Sequence, residues 1–290
     1  MTSPSAVDGD PATVVACCQL ALQVGDLEGN RARADAAIEQ AAATGATIVV
    51  LPELATSGYA FMDADQARAL AEPVPGPSTD HWHELAERLD VTVIGGICED
   101  GGDGALFNTA AVVNRDGVRA IYRKVHLWDR EKLVFTPGDQ PPPVLDVDGH
   151  LVAVMICYDL EFPEWVRLPA LAGAQLLCAP ANWPDLPRPT GERPAEVVRV
   201  QASAAINRMF IAACDRVGPE RGVDWVGGSV IVDADGWPLA GGSASTTTQV
   251  LTAPCRLNEA RDKTISDHND VITDRRPSLY TSVITQEDAP

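Results

Sequence analysis

His150-Leu151-Val152-Ala153-Val154-Met155-Ile156 runs without a break into Cys157-Tyr158-Asp159-Leu160-Glu161-Phe162-Pro163-Glu164. The first stretch is apolar after its opening histidine, the pattern of a strand covered on both faces. Asp148-Gly149 precedes it and Val144–Val147 precedes that pair, so the strand is read as the second arm of a hairpin. Such turns use glycine's tolerance of positive φ. After Cys157, residues 162–173 read as a helix and 175–178 as the next strand. A buried strand that ends in a thiol and turns at once toward a helix marks a layered α/β protein with chemistry at a strand end.

Working outward, the same alternation holds along the chain. Residues 13–20 read as a buried strand, 31–43 as an Ala-rich helix and 47–51 as a strand ending in Pro52-Glu53-Leu54. A helix over 78–89, with Ser78 as N-cap, leads to a strand over 91–97. Strands over 107–114 and 118–123 flank Asp116-Gly117, a second hairpin signal, and Asp235-Gly236 is a third. A helical pattern over 195–208 is followed by strands over 209–214 and 229–232. Strands that are apolar throughout predict sheets covered on both faces. No internal repeat, low-complexity tract or mid-chain linker is visible, so one α/β domain over 13–260 is expected. A flexible N-terminus over 1–12 precedes it. An extended, Pro-interrupted arm over 261–290 follows, placed to pack on a partner subunit.

Composition narrows the function classes. The 290 residues carry 41 Asp+Glu against 22 Lys+Arg, a formal charge of −19 that repels phosphate backbones and anionic lipid. Nucleic-acid and membrane partners are therefore not expected. No charged-then-apolar leader and no apolar run of about 18 residues is present. Seven irregularly spaced cysteines, without a C-x-x-C pair, suit buried thiols in a reduced, cytoplasmic protein rather than a disulfide framework.

Three strand ends deliver reactive groups: a carboxylate at Glu53, an ammonium at Lys124 and a thiol at Cys157. If they converge, they supply the base, cationic stabiliser and nucleophile of acyl transfer. Taken singly, each has a plain structural alternative: a cap or surface carboxylate, a solvated hairpin edge, a buried cysteine. Together, Leu51-Pro52-Glu53-Leu54, Tyr122-Arg123-Lys124-Val125-His126-Leu127 and the Cys157 stretch resemble the nitrilase, or carbon–nitrogen hydrolase, superfamily. Glu131 with Phe135 and Pro137-Gly138, Asn207-Arg208, Gly228-Ser229 and Asp274-Arg275-Arg276-Pro277 extend the resemblance over nearly the whole chain.

The resemblance implies a four-layer α-β-β-α sandwich with two mixed sheets, assembled through its helical faces into homodimers or larger oligomers. It also implies a Glu53/Lys124/Cys157 triad acting on a small-molecule amide through a thioester, with Glu131 orienting Lys124 and no metal or organic cofactor. Tyr59, Trp128, Tyr158 and Trp183 are candidates to line the substrate pocket, and Tyr158 N–H to oppose an oxyanion. His126 reads as structural. Cys157-Tyr158-Asp159 is similar to the amidase branches, so hydrolysis of aliphatic carboxamides to acid and ammonia is expected. N-carbamoyl or nitrile hydrolysis is the enzymatic alternative, and a non-catalytic binding protein on this fold the alternative of another class. Glu161 is a candidate to receive a cationic substrate. Two further patterns fit poorly: His81 and His83, two apart on a helix, do not share a face for zinc, and Gly241-Gly242-Ser243-Ala244-Ser245 reads as a loop.

Overall fold

A computed structural model describes residues 12–284, so the expected flexible N-terminus falls almost wholly outside the described residues. In chain order the elements are β1 (Thr13–Gln19), α1 (Leu27–Ala43), β2 (Ile48–Val50), α2 (Ala64–Leu70), α3 (Pro77–Leu89), β3 (Thr92–Asp100), β4 (Leu106–Asn114) and β5 (Gly117–Arg123). Then come β6 (Val144–Val147), β7 (His150–Val154), α4 (Pro163–Leu171), β8 (Leu176–Pro180), α5 (Ala195–Asn207), β9 (Phe210–Cys214), β10 (Val230–Val232), β11 (Pro238–Gly241) and β12 (Gln249–Cys255). A small pair, β13 (Thr264–Ser266) and β14 (Asn269–Asp270), and the helix α6 (Pro277–Ile284) close the described chain.

Two six-stranded mixed sheets, β12-β1-β2-β3-β4-β5 and β11-β10-β9-β8-β7-β6, form the centre. β1, β2 and β3 are mutually parallel, as are β7, β8 and β9; β12 and β4 flank the first trio and β6 and β10 the second in antiparallel pairing, and β5 and β11 pair antiparallel with β4 and β10. Strand alternation divides the core. Val15, Cys17, Ile48, Val50 and Ile94 of the first sheet share one apolar cluster with the second sheet, whereas Ala16, Cys18, Val49, Leu51 and Val93 face the helices. Ile38 and Ala41 of α1 and Trp82 and Leu85 of α3 cover that outer side. Val166 of α4 and Val197, Val200 and Ala204 of α5 pack against the second sheet. The architecture is the expected α-β-β-α sandwich.

Local chemistry explains where boundaries differ from expectation. The Asp148-Gly149 turn has both residues at positive φ (51° and 86°), as a two-residue hairpin requires. Helix α3 starts at Pro77 with Gly76 as N-cap, not at Ser78. Ser78 is drawn off instead: its N–H and hydroxyl both donate to the buried Glu72 carboxylate, at 2.8 and 2.7 Å. The tail expected as an extended arm contains the β13–β14 hairpin and helix α6. Lys263 ties it to the body by donating to Asn207 O and Arg208 O at the end of α5, at 3.2 and 2.7 Å. Among the described residues no helix is long and apolar enough to cross a membrane.

Candidate active site

Three turns carry the sequence-predicted groups beyond β2, β5 and β7. Glu53 lies three residues past β2, in a turn that sets Leu54 at φ 48°. Gly96 makes room for it: a Cβ there would lie 2.2 Å from Leu54 N and 2.6 Å from Glu53 Cα. Lys124 follows β5 directly, its N–H donating to Asn108 O at 2.8 Å. Cys157 lies beyond the end of β7, opening the short 3-10 helix Cys157–Glu161 at φ 46°. This left-handed conformation costs a non-glycine residue about 1–2 kcal/mol, and Asp159 holds it. Asp159 Oδ2 accepts from Tyr122 Oη at 2.8 Å and Ile156 N at 3.2 Å, and Oδ1 from His126 N at 3.0 Å and faces its Nδ1 at 2.7 Å. His126 is thus a structural link between the Lys124 and Cys157 segments, stacked on Phe162 with ring centroids 3.7 Å apart.

Glu53, Lys124 and Glu131 form one buried cluster. Lys124 Nζ donates to Glu53 Oε1 and to Glu131 Oε1, each at 2.7 Å. Asn108 Nδ2 also donates to Glu53 Oε1, at 2.7 Å. Tyr59 Oη donates to Glu131 Oε1 at 2.6 Å and Trp128 N to Glu131 Oε2 at 3.0 Å. Two carboxyl groups therefore share one ammonium out of water. Burial, above all, pushes Glu53 up to about 7; the Glu131 charge adds to this and Lys124 opposes it. Burial on its own would lower Lys124, but Glu131 and Glu53 outweigh it and hold the ammonium above its usual range. Burial and then the Glu53 charge push the Cys157 thiol well up, against Lys124. The thiol donates to Asn182 O at 3.6 Å.

Two cavities adjoin these groups, one at Cys157 and one at Glu131. The smaller, about 70 Å³, reaches Cys157 itself between Trp128, Tyr158, Asn182 and Trp183. The larger, about 330 Å³, is walled by Tyr59, Trp128, Phe135 and Trp225 and touches Glu131. Three of the four candidate pocket residues, Trp128, Tyr158 and Trp183, thus flank the thiol. Tyr59 lies in the larger cavity with its hydroxyl committed to Glu131. Trp128 and Tyr158 pack edge to face, with centroids 4.9 Å apart. Glu161 also borders the thiol cavity, but it is already paired: Arg199 Nη1 lies 3.0 Å from its Oε1 and 3.5 Å from Glu196 Oε1. His81 and His83 diverge, the first toward Asp35 and the second toward Arg115 O.

Three further residues shape the site without having been assigned a role from sequence. Asn108 was readable as a polar interruption of an apolar strand, a hint of a buried polar duty. Asp159 stood inside the quoted Cys157 stretch. Asn182, whose Nδ2 donates to Glu53 O at 2.9 Å, gave no signal of its own.

The sequence profile described as Carbon-nitrogen hydrolase matches residues 14–263. With the two-sheet sandwich, this settles the class: the chain belongs to the carbon–nitrogen hydrolase family. A protein named nitrilase from Pyrococcus abyssi is 36% identical over 269 residues, covering 92% of this chain and 98% of its own length. A human protein named omega-amidase is 32% identical, covering 89% of this chain and 94% of its own length. The crystal structure of an amidase from Nesterenkonia sp. superposes with a TM-score of 0.77 at 28% identity, over 97% of this chain and 100% of the other. A mutant of such an amidase carries acrylamide added at its active-site cysteine.

Proposed function

We propose that this protein is an amidase that hydrolyses small or medium aliphatic carboxamides to carboxylic acid and ammonia, with Cys157 as nucleophile, Glu53 as general base and Lys124 as oxyanion partner. One observation carries the reading. Glu53 Oε1 is held by Lys124 and Asn108, whereas Oε2 is buried with no hydrogen-bond partner. A carboxylate oxygen is thereby kept open to accept a proton, close enough to the buried thiol for the Glu53 charge to act on it. A base near 7 also suits proton transfer at neutral pH.

The steps follow from this arrangement. Glu53 Oε2 takes the thiol proton as Sγ bonds to the amide carbon, and the carbonyl π pair moves onto oxygen. Lys124 spends two of its three N–H bonds on carboxylates, leaving the third for that oxyanion. Tyr158 N–H, in the first turn of the 3-10 helix, is the second donor. Return of the electron pair expels the nitrogen, which takes the proton from Glu53 and departs as ammonia, leaving a thioester on Cys157. Water then attacks the thioester, giving its proton to Glu53; Sγ leaves, recovers that proton, and the acid is released. Glu131, held by Tyr59 and Trp128 N, orients Lys124. No step calls on a metal or organic cofactor.

One observation favours a nitrile as an alternative substrate, namely the name nitrilase on the 36% identical relative. Ammonia release from aliphatic amides, ω-amino amides, N-carbamoyl amino acids and nitriles decides between them, with Cys157→Ala as control. Cys157-dependent release from amides is expected. Release from nitriles or carbamoyl compounds alone would move the substrate class. Silence across the panel from folded protein would sink the enzyme reading in favour of a non-catalytic binding protein. The free thiols, Cys157 included, suit a reducing cytoplasm. Exposed Leu168, Leu171, Val198, Ile206 and Leu279 on α4, α5 and α6 suit assembly into a homodimer or larger oligomer through that helical side.

A further inference from the structure

We infer that Asn182 accepts a hydrogen bond from the departing –NH2 group of the substrate, and so selects primary carboxamides over substrates of the same acyl group that bring no N–H; this role rests on the amidase reading of the same site. Asn182 lies two residues beyond β8 and is 1% exposed. Its Nδ2 donates to Glu53 O at 2.9 Å, which fixes the other amide atom as oxygen, since a carbonyl must meet a donor. That oxygen, Oδ1, is buried and has no partner. An unpaired buried acceptor is unfavourable unless a donor arrives.

Around the ammonium of Lys124 and the thiol, three side-chain acceptors are left unpaired: Glu53 Oε2, Asn108 Oδ1 and Asn182 Oδ1. Of these three residues, Asn182 alone borders the cavity that contains Cys157, and its own carbonyl already receives the thiol S–H. A primary carboxamide brings one acceptor and two N–H donors. The acceptor is met by Lys124 Nζ. Once Glu53 Oε2 has taken the thiol proton it becomes a donor toward the nitrogen and no longer accepts from it. The N–H bonds of the leaving group then need another acceptor, and of the three unpaired ones Asn182 Oδ1 is the one carried by a residue of this wall. An ester or a nitrile has no hydrogen to offer there and gains nothing from it.

The test is a ratio. Wild-type enzyme, Asn182→Ala and the nearly isosteric Asn182→Leu are compared in kcat/KM for butanamide and for methyl butanoate, whose acyl groups are identical. Both variants lose the brace to Glu53 O, so both substrates slow. If Oδ1 serves the leaving nitrogen, the amide-to-ester ratio falls at least ~10-fold further, the scale of one lost hydrogen bond. Either variant suffices if the other fails to fold. A bracing role alone would slow both substrates together, and an unmoved ratio would overturn the assignment. Asn182→Asp, which keeps an oxygen but loses the brace, is expected to hold the ratio nearer that of the wild type. Should the wild type show Cys157-dependent turnover of neither substrate, the amidase reading fails with it. Turnover of both with an unmoved ratio overturns the role of Asn182 alone.

Discussion

The two sheets share one plan. Written outward from the same edge, β12-β1-β2-β3-β4-β5 and β6-β7-β8-β9-β10-β11 have the same parallel and antiparallel pairings. Their corresponding strands meet at the site: Glu53 beyond β2 and Asn182 beyond β8 are bonded directly, Asn182 Nδ2 to Glu53 O at 2.9 Å. What the corresponding positions carry is opposite in kind. The first sheet supplies the charges, Glu53 and Lys124, while its strand end matching Cys157 is the uncharged Gln19-Leu20 stretch. The second supplies a thiol and a neutral amide, while its strand end matching Lys124 is Gly241-Gly242. The ammonium and its two carboxylates are gathered on one side and the thiol on the other, so each can be positioned by its own sheet. The ion cluster is then out of water yet within electrostatic reach of the thiol.

Substitutions can break this division at different places. Lys124→Met removes the cation of the first sheet and leaves two buried carboxyl groups facing each other. Loss of one partner of a buried pair costs about 3–5 kcal/mol, and loss of an oxyanion donor about 100- to 1000-fold in turnover. Thermal unfolding and amide turnover should both show it, and an unchanged melting temperature would refute the shared-ammonium picture. Glu53→Gln keeps the shape and the neutral hydrogen bonds but cannot take a proton. Folding should be retained and turnover lowered by at least ~100-fold; near-wild-type rates would refute the assignment. On the second sheet, Asp159→Asn sets an –NH2 donor against donors that the carboxylate now receives. The Cys157 turn then loses its anchor at about 1–3 kcal/mol. Turnover should fall roughly tenfold, with Glu53's ionisation, read from the pH profile, unmoved. A displaced profile would show that the Asp159 charge reaches Glu53.

The fold was largely legible because its signals are local. Asp148-Gly149 needs only its own dihedrals to make a turn, and the apolar runs of β1, β2 and β7 announce burial on both faces. Missed elements depend on distant partners. β12 is a strand because it pairs with β1 about 230 residues away in sequence, Thr13 against Cys255 and Gln19 against Gln249. Ser78 is an adequate N-cap by type, and only the fold brings Glu72 to it. The correspondence of the two sheets was invisible as a sequence repeat, because the matching positions that matter, Glu53 and Asn182 or Cys157 and Leu20, have been made chemically different. Within the site, the Glu53 carboxylate, the ammonium and the thiol that the structure brings together could be named from their strand ends. The asparagines could not: an amide side chain acquires its meaning from which buried atoms it meets, here Glu53 Oε1 for Asn108 and Glu53 O for Asn182.

Asn108 offers the finest test of how the first sheet sets its base. Glu53 is pushed up to about 7, chiefly by burial. As the proposed base it must be deprotonated to act, so kcat/KM should rise with pH through a midpoint near 7 and fall away on the acid side. Asn108 Nδ2 donates to Oε1 and favours the ionised form, thereby restraining that rise. Asn108→Ala removes the donor, so Glu53 should hold its proton more tightly and the acid limb should move to higher pH. One hydrogen bond to a charged group corresponds to roughly one pH unit. Above the displaced midpoint the variant should approach the wild-type rate, because the base form is restored there. A rate lowered equally at every pH would mean that Asn108 shapes the site without tuning its base. A limb displaced toward lower pH would mean that the water admitted by the smaller side chain solvates the carboxylate better than the amide does.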